Sequence, residues 1–196
     1  MPFFEPPPPP EPAREPAWSA PPAGVIGALA LRDPVELAVT DEVAVVAERI
    51  VAYPNGFQIA LVLLARTVEA SWHLSGTQSP YPIPPRPAAG QALGDEFLRF
   101  GLQFSDGSKA TNLDLLGGMR FDPFREEPDR PILLGGVGGG GGMRFEQSHW
   151  CWPLPPPGPM ELVCEWPARG IGLTRRQLQA ETIIEAASRA RRLWPD

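Results

Sequence analysis

Residues 43–67, VAVVAERIVAYPNGFQIALVLLART, are two apolar runs joined by Pro54, Asn55 and Gly56, and their reading decides the fold. Pro54 presets φ for the first corner of a turn, Asn55 tolerates the second, and Gly56 suits the left-handed position that closes a three-residue hairpin with a bulge. The flanks are rich in Val, Ile, Leu, Phe and Tyr, which fit a pleated surface. A helix through the segment is excluded by Pro54 at its centre. The segment is therefore a β-hairpin. Both of its faces carry apolar groups: Val43, Val45, Val51 and Tyr53 alternate with Ala44, Val46, Ile50 and Ala52. Such a pattern calls for cover on two sides, from a helix of the same chain or from a second subunit.

Working outward, the 196 residues suit one domain with tails. Pro 27 and Gly 20 are high, yet 43% hydrophobic residues suffice for a core because the prolines are clustered. The first cluster lies in residues 1–24, where positions 6–10 are consecutive prolines. It reads as a disordered proline-rich tail in polyproline II conformation, either a solubilising tail or a ligand for an aromatic groove. Residues 25–179 follow with strand patterns at 35–40, 96–105, 109–113, 143–152 and 160–166, the last two joined by a proline-rich turn. A last strand or lead-in is read at 174–179. Residues 71–95 are a long proline-rich loop, and the glycine run 135–142 reads as a floppy connection. From Ala180 the spacing of Ile183, Ala187, Ala190 and Trp194 predicts a helix with one apolar stripe, packed on the outer face of the hairpin or on a sheet edge. Short strands with Gly and Pro turns, then one helix, describe a mainly β protein: an immunoglobulin-like β-sandwich with a C-terminal α-helix over 180–196.

A net charge of −6 argues against nucleic acid as the main partner. The arginines near the C-terminus (169, 175, 176, 189, 191 and 192) read as a solvated helix face. No apolar run is long enough to span a membrane, and the N-terminus lacks the basic start and apolar stretch of a secretory signal. The expected location is therefore cytoplasmic, with both cysteines reduced.

Catalytic signatures are sparse. The glycine run lacks the Lys-Ser/Thr of a phosphate loop and is followed by a strand rather than a helix. His149, Cys151 and Cys164 are one candidate zinc set, which would make the protein a metal-dependent hydrolase, although their spacing matches no standard zinc pattern. The competing register pairs strand 143–152 with strand 160–166 so that Trp150 and Trp152 share the core with Leu162, Cys164 and Trp166. Cys151 then faces away from Cys164, without a disulfide or shared ion. Trp72, His73 and Tyr81 in the long loop are candidate binding residues for a small molecule or glycan. No cofactor is expected.

The stretches AYPNGF, LRFGLQFSDGSKATNLD and WCWPLPPPGPMELVCEWPARGIG resemble a family of uncharacterised β-rich proteins from bacteria with GC-rich genomes. The preference for Arg over Lys fits that origin. The resemblance implies a domain from about Val35 to Pro195 and implies no activity. The leading expectation is a non-enzymatic cytoplasmic binding or assembly module with a protein partner, and with a homo-oligomer as one form of it. A hydrolase centred on His149, Cys151 and Cys164, or a ligand binder using loop 71–95, are the alternatives.

Overall fold

The structure, a computed structural model, describes residues 16–70, 94–113 and 127–194. The quoted hairpin is strands β4 (Val43–Tyr53) and β5 (Gly56–Ala65), preceded by β1 (Val25–Ile26), β2 (Ala28–Leu29) and β3 (Val35–Val39). Strands β6 (Arg99–Gln103), β7 (Lys109–Thr111), β8 (Ile132–Gly141), β9 (Arg144–Trp152), β10 (Pro159–Trp166) and β11 (Ile171–Gln179) follow. Helix α1 (Ala180–Ser188) and the short β12 (Arg191–Arg192) complete the order.

Two antiparallel sheets face each other. The larger runs β2-β4-β5-β9-β8, with β3 also on the free edge of β4; the smaller runs β11-β10-β6-β7. The strands alternate between sheets in pairs: β4 and β5, then β6 and β7, then β8 and β9, then β10 and β11. This is the strand order of an immunoglobulin-like sandwich, four strands of type ABED against C, F and G with one added strand beside C. The core lies between the sheets, with Phe57, Ile59 and Leu61 from one side and Phe100, Leu102, Leu162 and Trp166 from the other, all essentially sealed.

The hairpin turn is tighter than expected. Tyr53 lies opposite Gly56, so the turn is Pro54 and Asn55 alone, and Gly56 is not among the glycines with left-handed backbone. Glycine is required there for a different reason: a Cβ would collide with the Cys151 carbonyl oxygen and the Trp150 ring. The bulge lies instead at Glu48, where the register shifts between Ala47 and Arg49. An extra residue reverses the alternation. Val43, Val45 and Ala47 point inward before it, and Ile50 and Ala52 after it. The hairpin with two apolar faces is thus, in β4, one inward face with a phase change.

The outward face of β5 is covered as well, since Val62 is 1% exposed and Ala60 8%. Ion pairs between the flanking strands cross above them. Arg49 and Arg144, from β4 and β9, bind Glu146 and Glu48, the second pair at 2.8 Å. Their aliphatic stems exclude water from the apolar groups beneath. Farther along, Trp150, Ile132 and Leu134 form a second cluster with Trp18, Tyr53 and Trp152. Residues 16–24, read from sequence as part of the tail, are held here. The Trp150 indole donates to the Trp18 carbonyl at 2.8 Å, and the Asn55 amide donates to Ala17 and Ala20. Residues 1–15 of the expected tail lie outside the described residues.

Helix α1 lies over β4 and the edge strand β2, which is the sheet-edge placement and not the one on the hairpin's outer face. Ala180, Ile183, Ala186 and Ala187 enter the same core cluster as Ile50, Ala52 and Phe57, the inward face rather than the outer one. Trp194 is 67% exposed and leaves the stripe, because the helix ends at Ser188 and β12 pairs back onto β1. The glycine run is a further correction: it forms most of β8, an edge strand paired with β9 across one register shift between Gly135 and Gly138. Ladder hydrogen bonds to one well-formed neighbour outweigh the weak strand preference of glycine. No helix among the described residues is long and apolar enough to cross a membrane.

Asn112, 6% exposed, ends β7 by acting as a strand residue for β6. Its backbone amide donates to the Phe100 carbonyl, its Oδ1 accepts from the Phe100 amide, and its Nδ2 donates to the Leu98 carbonyl, each at 2.9 Å. Asn112→Ala strands two buried backbone groups and is expected to cost about 2–4 kcal/mol in urea unfolding, from the desolvation penalty of unpaired polar groups. A loss under about 1 kcal/mol would show that these groups find other partners.

Candidate binding surfaces

The residues that chemistry would need are in the core. Strands β9 and β10 do not pair; residues 153–158 carry the chain from one sheet to the other. The expected register is therefore overturned. Gln147, His149 and Cys151 point inward, while Trp150 and Trp152 join the outer aromatic cluster. Cys151 and Cys164 both face the core, on opposing sheets, as free thiols. Residues 153–158 follow the Trp152 to Pro153 bond, which is cis, and are mostly prolines that offer no amide to a ladder. That is why a short link crosses the core here rather than closing a hairpin.

His149 is fully buried, its ring tilted against that of Phe100 at 5.2 Å. Burial pushes its pKa down to about 4, so the ring is neutral at neutral pH. Burial also raises the Cys151 thiol well above its usual range. It raises the Cys164 thiol too, against the opposing effects of a 3.1 Å hydrogen bond with Thr174 and the charge of Arg176. Thiols so placed carry little thiolate and are poor nucleophiles. Among the described residues no group of three or more His, Cys, Asp or Glu side chains comes together for a metal ion. His149, Cys151 and Cys164 are therefore not assembled as a ligand set. Trp72, His73 and Tyr81 lie outside the described residues.

Among the described residues, two of the concave surfaces bear on binding, and both were missed in the sequence. One is a shallow groove of about 150 Å³ on the outward face of the small sheet. Gly101 on β6 sits opposite Val163 on β10, and these two form its floor with Leu173 of β11. Gly101 has no side chain between Arg99 and Gln103, the next outward residues of the same strand, and the Thr111 methyl of β7 packs close beside it. The walls are charged. Arg99 pairs with Glu165, while Arg175 binds Glu161 and donates to Gln103 at 3.0 Å. Leu173 is 62% exposed at the mouth. The alternation of β6 gave the signal for this face, but the cross-strand partners of Gly101 depend on long-range pairing.

The second is a cleft of about 390 Å³ where crossover 153–158 meets the β6–β7 turn. Phe104, Trp152, Pro153 and Leu154 line it with Pro128 and Pro131, and Asp106, Asp129 and Arg130 stand at its edge. Its signal was the proline-rich run after Trp152, expected as a hairpin turn and found as a crossover between the sheets.

Burying His149 neutral ties stability to pH. Its pKa is lowered on folding, so its contribution is intact above the unfolded value of about 6.5 and declines as pH falls, until about 4. Between pH 7 and pH 5 the parent should lose about 2 kcal/mol more than His149→Phe, whose unfolding titrates without this group. Parallel denaturant curves at the two pH values measure this. Equal losses would place the imidazole in contact with water.

No family model matches the chain, and neither a curated protein nor a solved structure matches it.

Proposed function

We propose that the protein is a non-enzymatic binding or assembly module that docks a protein partner on the outward face of its small sheet. One observation carries this reading: the exposed groove at Gly101, Val163 and Leu173 has an apolar floor between charged walls, while the histidine and both thiols of the described core are sealed. An apolar centre with a polar rim is the usual anatomy of a protein interface. The fixed ladders of Arg99 with Glu165 and Arg175 with Glu161 supply directional contacts at the rim without ordering further side chains. A partner side chain of leucine or phenylalanine size suits the floor.

Leu173→Glu tests the reading with little risk to the fold, since Leu173 is mostly exposed. The melting temperature should stay within about two degrees of the parent, as for surface changes generally. Affinity capture from the native host should then lose the partner recovered by the parent chain, at least tenfold in quantitative mass spectrometry. Val39→Glu, equally exposed on β3, should retain it. Capture unchanged by Leu173→Glu, or lost equally in both variants, would overturn the reading.

A further inference from the structure

We propose that the cleft beside Trp152 is a polyproline-binding groove and that its occupant is the chain's own run of prolines at residues 6–10. The walls suit that chemistry. Trp152 gives a flat apolar surface, Leu154 and the nearly buried Phe104 add apolar lining, and Pro131, Pro153 and Pro155 hold them on stiff backbone. A polyproline II segment presents its apolar rings at no further cost in backbone freedom, which is why aromatic-lined grooves select it.

Where the described chain begins identifies the occupant. Trp18 packs edge-on against Trp152, with ring centroids 6.4 Å apart. The segment around Trp18 is fixed by the Trp150 indole bond to its carbonyl and by the Asn55 bonds to Ala17 and Ala20. The chain therefore enters at Trp152, which forms one wall of the cleft. From Pro16 back to Pro10 is six residues, a span of about 19 Å at roughly 3.1 Å per residue in polyproline II. The run at 6–10 is thus tethered within reach of the cleft. A tether this short holds the run at a local concentration on the order of millimolar, sufficient for a groove whose affinity for a free peptide is modest. The cleft is a separate surface from the docking face but meets it at the β6–β7 turn, where Phe104 and Ser108 of the cleft adjoin Gln103 and Lys109 of the groove.

Two proteins spanning residues 1–196 test it: the parent, and a variant with serine at all five positions 6–10. The readout is the Trp152 indole resonance in ¹⁵N spectra, assigned through Trp152→Phe. The resonance should move between parent and serine variant. A synthetic peptide of residues 4–15 should return it saturably in the serine variant and should bind the parent at least tenfold more weakly, because its cleft is filled. Three results would overturn the proposal. One is an unmoved resonance with no peptide binding. Another is equal binding to both proteins, which describes a groove open to other chains. The third is a shift that tracks a monomer–dimer equilibrium in light scattering, which would assign the run to a second copy.

Discussion

The bulge at Glu48 is the constraint on which the rest of the sandwich depends. Strand β4 is eleven residues long and must serve two packing layers in succession: the small sheet under its first half and helix α1 under its second. Strict alternation from Val43 would turn Val51 and Tyr53 inward and Ile50 and Ala52 outward. The helix would then meet a tyrosine where it now meets small apolar groups, and Trp150 would lose Tyr53, its edge-on neighbour at 5.8 Å. One inserted residue resolves this conflict. It also sets Glu48 and Arg49 beside each other on the outer face, where both pair with β9 and roof the middle of β5. Inner packing and outer cover thus share one irregularity in the backbone.

The hairpin was legible because Pro-Asn-Gly between two β-branched runs admits few alternatives, and β3, β6, β7, β9 and β10 were legible as strands, whereas the two-residue β1, β2 and β12 are too short to carry a pattern. The bulge was not, because both phases of VAVVAERIVAY are apolar and pattern alone cannot show where one gives way to the other. The two tryptophans of β9 were placed on the wrong face by a related error. Adjacent strands joined by a short link usually pair, and 153–158 departs from this because its prolines cannot donate to a ladder. Glycine has no side chain and therefore no hydropathy pattern, so β8 was visible only through its partner. The surface groove was least legible of all. It depends on the missing side chain at Gly101, and a missing side chain acquires meaning only when strands from distant parts of the chain surround it.

The placement of the reactive residues has its own logic. An imidazole between two sheets is tolerated by an antiparallel sandwich only in its neutral form, and the Phe100 ring gives it an apolar neighbour. The two thiols fill space as small polarizable groups, one on each sheet. Residues often associated with catalysis thus act as packing material. Their chemical potential is suppressed by the burial that makes them useful to the core.

The pairing of β1 with β12 joins the two ends of the described chain. Val25 faces Arg192, Ile26 faces Arg191, and the Leu193 amide reaches the Gly24 carbonyl at 2.8 Å. Because the strands are antiparallel and the chain leaves both on the same side, tension between the ends loads these bonds in sequence rather than together. Pulled from the side of Trp194, the clasp opens like a zip, peeling from the outside, whereas a pull from residue 16 meets the Trp150 and Asn55 bonds to residues 17–20 first. The domain is therefore mechanically soft on the side of Trp194 and stiff on the side of Trp18, where an indole and an amide fasten the chain to the sheet.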